Sequence, residues 1–235
     1  MSVPALRIGL IVPSSNTVME PDFHRLLGAS AIVSTTRIFL EDVTREAETR
    51  MLAEDLPQAV ERIRTTSPDV VVFGCTSAGA LGALSHDRDI AERIAQGSGA
   101  TTNVVTVLDA VLRRLQAIRP VKLAVFTPYV KDLTDSIGRC LNEAGFSSVK
   151  TAGMGIIANV EIGRVTPAEI IQFVKSQISG VDPDCIFLSC TNWRAIEAIP
   201  ALQKQLGIPI ISSNQAAIDI VLQGDQATRA TGGKQ

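Results

Sequence analysis

The sequence predicts an α/β protein of two similar lobes, each a mostly parallel sheet flanked by helices, related by internal pseudo-twofold symmetry. Three observations predict it. Short β-branched runs alternate with amphipathic stretches along the 235 residues. Several of those runs are continuously apolar, as parallel strands covered on both faces are. Two separate segments also recur at one shared spacing.

The runs Arg7 to Val12, Ile32 to Phe39, Val70 to Phe73 and Asn103 to Thr106 read as the strands of a first half. Leu123 to Phe126, Ser148 to Ala152, Cys185 to Leu188 and Pro209 to Ile211 read as those of a second. Between strands, Glu46 to Thr65 reads as one helix. It places Met51, Leu52, Leu56, Val60 and Ile63 at spacings of three and four. Asp132 to Ala144 is helical too. Thr166-Pro167-Ala168-Glu169 opens a further helix with a capping box and Pro in the first turn. Alternation of this kind favours a parallel sheet.

The repeat is the most informative feature. Pro68-Asp-Val-Val-Val-Phe-Gly-Cys75-Thr76 aligns with Pro183-Asp-Cys-Ile-Phe-Leu-Ser-Cys190-Thr191, 115 residues later. Arg7-Ile-Gly-Leu-Ile-Val-Pro13 aligns with Lys122-Leu-Ala-Val-Phe-Thr-Pro128 at the same 115. One match could arise by chance among apolar strands; two at one spacing imply related halves. The lobes are expected at residues 1–116 and 117–211, with 212–223 returning to pack on the first. The polar stretch 224–235, with Gly232-Gly233, is expected to be disordered.

Composition narrows the function. A net charge of −2 without Lys/Arg runs gives no reason to expect nucleic acid, and aromatics at 4% leave little base-stacking surface. No apolar run approaches the roughly 20 residues that span a bilayer. The run Ile8 to Val12 is too short for a signal-peptide core. A cytoplasmic protein without membrane contact is expected. Four cysteines at this length do not suggest a disulfide scaffold. With only His24 and His86 beside them and no Cys-x-x-Cys pair, no metal is expected.

Gly153-Met-Gly155 lacks the third glycine of a dinucleotide fingerprint, and no phosphate-loop motif occurs. Ser85-His86-Asp87 are sequence neighbours, which is not how a hydrolytic triad is built. They read instead as the start of a solvated helix.

Ligands of open parallel sheets bind outside the carboxyl ends of the strands. The repeat puts a Cys-Thr pair at each such end, so Cys75 and Cys190 are expected to face one small ligand across a shared cleft. Helix starts beside both thiols are expected to lower their pKa and favour a carboxylate. Opposed thiols suit two-base proton transfer or nucleophilic addition to an electron-poor double bond, neither needing a cofactor. A free cysteine that merely packs is the plain alternative, and it is the reading given to Cys140 and Cys185. Asn16 and Thr17 read as helix caps, with the Asn16 amide as a carboxylate donor in the functional reading. Tyr129 reads as a half-buried ring beside the cleft or a hydroxyl donor. Ser77 and Asn192 extend the two Cys-Thr turns and can donate in the same way.

With these residues in view, the chain resembles the aspartate/glutamate racemase superfamily, in the branch of maleate cis-trans isomerases and arylmalonate decarboxylases. The resemblance covers roughly Arg7 to Leu222. Its most specific stretch is Ile8-Gly-Leu-Ile-Val-Pro-Ser-Ser-Asn16-Thr17-Val-Met-Glu20. Pro128-Tyr129, Gly155-Ile-Ile-Ala-Asn159-Val-Glu161, Leu188-Ser-Cys190 and Ala198-Ile-Pro200 running into Leu206-Gly-Ile-Pro-Ile-Ile-Ser-Ser213 support it.

The resemblance implies Cys75 as nucleophile and Cys190 as proton donor and acceptor. It also implies Asn16, Tyr129 and Asn159 as holders of two carboxylates. Thr76 and Ser77 look like donors to a carboxylate or enolate-like charge, and Thr191 is grouped with them as substrate-binding. Cys75 stands where the decarboxylases of this resemblance have glycine, which disfavours single-cysteine decarboxylation. The turns Gly-Cys-Thr-Ser and Ser-Cys-Thr-Asn resemble amino-acid and hydantoin racemases more. The expectation is therefore a cofactor-independent, homo-oligomeric isomerase of a small dicarboxylate, maleate to fumarate. A two-base racemase of aspartate, glutamate, hydantoin or a related compound stands second, and a non-catalytic carboxylate-binding protein third.

Overall fold

The computed structural model describes residues 5–99 and 102–232. The first half runs β1 (Leu6–Pro13), α1 (Met19–Leu27), β2 (Ala31–Ile38), α2 (Arg45–Glu54), α3 (Leu56–Arg64) and β3 (Val70–Phe73). It continues through α4 (Thr76–Gly79), α5 (Leu84–Ser98), β4 (Asn103–Thr106) and α6 (Val107–Ile118). The second half holds β5 (Leu123–Thr127), α7 (Lys131–Glu143), β6 (Ser148–Gly153), α8 (Asn159–Arg164) and α9 (Pro167–Ile178). It ends with β7 (Cys185–Leu188), α10 (Ala195–Leu206), β8 (Ile210–Ser212) and α11 (Ser213–Gly232).

Two four-stranded parallel sheets result, ordered β2-β1-β3-β4 and β6-β5-β7-β8. The central strands are buried along their whole length in β3, β5 and β7, which is why those runs are uniformly apolar. The 115-residue spacing is a register identity. Ile8 pairs with Val70 and Leu123 with Cys185; Ile11 pairs with Phe73 and Phe126 with Leu188. The repeated Pro-Asp dipeptides do the same work in both halves. Asp69 accepts the Arg7 N–H at 2.8 Å, and Asp184 accepts that of Lys122 at 3.0 Å.

Three expectations change. The stretch Glu46 to Thr65 is two helices, α2 and α3, because the chain turns at Asp55 and restarts with Pro57 in the first turn of α3. The polar end from Gly224, expected to be disordered, continues α11 to Gly232; 233–235 lie outside the described residues. A helix already anchored by the buried Ala216, Ala217, Ile218 and Val221 propagates readily through Gln, Ala and Arg, all good helix formers. Finally, Asp87 is not on a solvated face. It is buried at the start of α5, accepts from Thr106 Oγ1 at 2.5 Å, and burial raises its pKa to about 6.

Helix α11 crosses back to pack on α6 and α1 of the first half. The segments flanking the cleft are also stitched together: Val43 donates to Ile157 O and Asn159 to Glu41 O, both at 2.8 Å. Among the described residues no helix is long and apolar enough to cross a membrane.

Candidate active site

The turns after β1, β3, β5 and β7 meet at one narrow cleft, at the end of the sheets where ligands of this architecture bind. Cys75 and Cys190 both line it, joined by Asn16, Ser77, Tyr129, Asn159 and Thr191. Pro13, Leu40 and Val43 supply its apolar wall.

Gly74 explains how Cys75 reaches its place. A Cβ there would lie 2.5 Å from Met19 Sδ and 2.9 Å from Val12 Cγ1, so only glycine lets the strand end tuck between them. Cys75 then leads into the single helical turn α4. Cys190 leads into a turn, and α10 starts only at Ala195. The expectation of helix starts beside both thiols therefore does not hold. Nor are the thiols acidified. Burial pushes Cys75 well above the ordinary thiol range, with the neighbouring Glu48 carboxyl adding to the rise. Burial likewise pushes Cys190 up to about 12, against the Tyr129 hydroxyl and the Asn192 N–H, which favour its thiolate. A helix terminus one turn long cannot offset the loss of water around a thiolate.

Asn16 combines both roles weighed for it. Its Oδ1 accepts the N–H groups of Val18 and Met19 at 3.0 Å each, as a cap does, while Nδ2 donates across the cleft to Thr191 Oγ1 at 3.0 Å. Thr191 in turn donates to Gly74 O at 2.9 Å, so the Cys190 turn is tied to the strand end that carries Cys75. Asn159 donates to Ser15 Oγ at 2.8 Å, and its Oδ1 accepts from Asn192 Nδ2 at 3.1 Å. Each of these two amides keeps a second N–H for a ligand. Asn192 is itself an anchor, accepting the Thr17 N–H at 2.9 Å and donating to Asn159 O at 2.7 Å. Gly163 makes room for it, since a Cβ there would meet Thr17 Oγ1 at 2.7 Å and Asn192 Oδ1 at 3.0 Å.

Tyr129 is 2% exposed, buried rather than half-buried, and lines the cleft with its hydroxyl near the Cys190 thiol. Thr76 is the one predicted site residue that does not line the cleft. It donates to Ser213 Oγ at 2.9 Å, fastening the start of α11. Cys140 and Cys185 are buried away from the cleft, in keeping with a packing role.

The sequence reading missed Glu48. It lines the cleft fully buried, accepting a short hydrogen bond from Ser77 Oγ and one from the Cys75 thiol at 3.8 Å. Burial raises its carboxyl to about 8, against the Ser77 and Cys75 hydrogen bonds and the charge of Arg45. The signal was in the periodicity. Glu48 precedes Met51 and Leu52 by three and four residues, on the same buried stripe of α2.

A family profile described as arylmalonate decarboxylase matches residues 8–234. The chain belongs to the arylmalonate decarboxylase family. Among curated relatives, a maleate isomerase of Geobacillus stearothermophilus is 27% identical over 230 residues, covering 92% of this chain and 90% of that protein. The crystal structure of a maleate isomerase from Pseudomonas putida superposes with a TM-score of 0.89 at 25% identity, over 95% of this chain and 94% of the other. A cysteine-to-serine variant of the Nocardia farcinica maleate cis-trans isomerase, solved with a covalently bound succinylcysteine intermediate, superposes at 0.85 and 25% identity over 94% and 92%. Two similar parallel α/β lobes are thus the fold this arylmalonate decarboxylase family member shares with those structures.

Proposed function

We propose that this chain is a cofactor-independent isomerase that converts a small cis-dicarboxylate, maleate, to its trans isomer, fumarate. The observation that carries the reading is two thiols, Cys75 and Cys190, lining one cleft beside the side-chain amides of Asn16 and Asn159. The related proteins described as maleate isomerases, one with a succinylcysteine, support it.

In this reading the Cys75 thiol gives up its proton to solvent as the substrate enters and then reacts as a thiolate. Its sulfur bonds to one olefinic carbon, the π pair moves to the other, and the Cys190 S–H gives that carbon its proton. The product is a succinyl thioether on Cys75 and a thiolate on Cys190, which the Tyr129 hydroxyl stabilises. The former double bond is now single and rotates. Cys190 retakes the proton, the C–S bond breaks, and the trans diacid leaves with both sulfurs restored. Asn16 and Asn159 hold the carboxylates with their free amide hydrogens, and Thr191 keeps Asn16 in place. Ser77 acts through Glu48. Thr76, turned toward Ser213, is assigned a structural role instead.

Four free cysteines fit a reducing, cytoplasmic setting. We also expect a homo-oligomer, for which the exposed Ile32 of β2 and Phe39 beyond it offer apolar contact. Light scattering of the purified chain tests that.

Proton NMR in D₂O of the purified, metal-stripped protein with maleate, D-aspartate, L-aspartate or phenylmalonate tests the activity, racemisation reading out as exchange of the aspartate α-hydrogen. Fumarate should appear from maleate, with neither aspartate racemised. Racemisation in place of isomerisation would transfer the site to two-base proton chemistry, and loss of carbon dioxide from phenylmalonate would restore decarboxylation.

A further inference from the structure

The cleft poses an electrostatic problem for the proposed substrate. Among the described residues no Lys, Arg or His lines it, and its one ordinarily acidic side chain is Glu48. A dicarboxylate dianion would enter a site lined by buried side chains and already holding a carboxyl group, at a cost that falls steeply if that group is neutral.

The hydrogen bonding around Glu48 says where its proton would sit. Oε1 accepts from Ser77 Oγ and from the Cys75 thiol, which occupies both of its lone pairs. Oε2 is fully buried and has no partner. A carboxylic acid protonated on Oε2 satisfies this arrangement, and its O–H is then the unspent donor of a cleft-lining group.

We propose that Glu48 is a substrate-binding residue that holds one carboxylate of the dicarboxylate as a neutral acid, donating from Oε2. The assignment rests on the dicarboxylate reading of the site and adds to it a binding group and a proton requirement. Buried carboxyls that donate as neutral acids are an established way to hold negative charge.

Binding of a dianion then keeps a proton on Glu48. At pH 7 the proton is already there. Above pH 8 it must be taken up from solvent, so affinity falls with pH. The other titratable groups facing Glu48 do not imitate this effect. Cys75 beside it, Cys190 across the cleft and Tyr129 on the second lobe are held protonated by burial beyond that range. Arg45, one turn earlier on α2, is paired with Asp132.

Succinate is the probe, because it has both carboxylates and no double bond for a thiolate to attack. Calorimetric titration between pH 6 and 9.5, repeated at pH 9 in buffers of different ionisation enthalpy, should give a constant Kd below pH 7. Above pH 8 the Kd should rise about tenfold per pH unit, with uptake approaching one proton per succinate. Glu48→Gln keeps a donor and cannot ionise. It should bind within threefold of the wild type at pH 7, with a flat pH profile and no uptake. Glu48→Ala should bind at least tenfold more weakly at pH 7.

A flat wild-type profile, proton release, a Gln variant that keeps the slope, or no succinate binding at any pH overturns the inference. The isomerase reading fails separately. Succinate binding with proton uptake but no maleate turnover leaves Glu48 as assigned and removes the isomerase. Maleate turnover without uptake does the reverse.

Discussion

Asn16 Nδ2 donates to Thr191 Oγ1 at 3.0 Å, joining residues 175 apart in sequence and on opposite walls of the cleft. Because Asn16 Oδ1 also caps the Val18 and Met19 N–H groups, its side chain cannot turn without freeing buried donors. Asn16→Ala should therefore raise KM for maleate about 10- to 100-fold through the lost carboxylate contact. It should also cost about 1 kcal/mol of stability through the lost cap. Steady-state kinetics and urea unfolding read the two effects separately.

Thr191→Val tests the same link from the other side. It removes the donor to Gly74 O and the acceptor for Asn16 while keeping the side chain's shape. Two buried polar groups lose their partner, which should cost about 2–4 kcal/mol in urea unfolding. The equivalent change at Thr76, which bonds only Ser213, should leave KM unchanged.

Glu48 gives a stability prediction independent of activity. Its pKa is about 8 in the fold against 4.5 ordinarily, so the folded state holds a proton that the unfolded chain releases. The sign follows. The contribution of Glu48 is fully present below pH 4.5 and is lost as pH rises toward 8. Glu48→Gln escapes that loss and should be more stable than wild type by about 3 kcal/mol at pH 7, since one pKa unit is worth about 1.4 kcal/mol. The gap should close at pH 4. Thermal unfolding at the two pH values checks it.

Tyr129→Phe removes the hydroxyl that supports a thiolate on Cys190. The adduct should then form and collapse more slowly. We expect kcat to fall about 10- to 100-fold, the worth of one hydrogen bond to a charged group, measured under saturating maleate.

Much of this was legible in the chain. The strand runs, the 115-residue repeat and the placing of Cys75 and Cys190 at equivalent strand ends all follow from apolar patterning, which burial enforces. What escaped has physical causes. The thiols' pKa was misread because a helix start is visible in sequence whereas desolvation is not. Thr76 and Thr191 look equivalent beside their cysteines, yet one reaches Ser213 and the other Asn16. The first half gives Cys75 a helical turn, the second gives Cys190 an open one, and no local rule tells them apart. Glu48 was overlooked because a carboxyl on an amphipathic helix is usually solvated, although its place on the Met51–Leu52 stripe marked it as buried.

The central claim is that the Cys75 sulfur bonds to the substrate, and trapping that bond tests it most directly. Cys190→Ser weakens the return proton transfer while leaving Cys75 in place. After incubation with maleate, peptide mass mapping should find the segment containing Cys75 heavier by one maleic acid, with the adduct absent from Cys140 and Cys185. An unmodified Cys75, together with undiminished turnover by Cys75→Ala, would contradict the account.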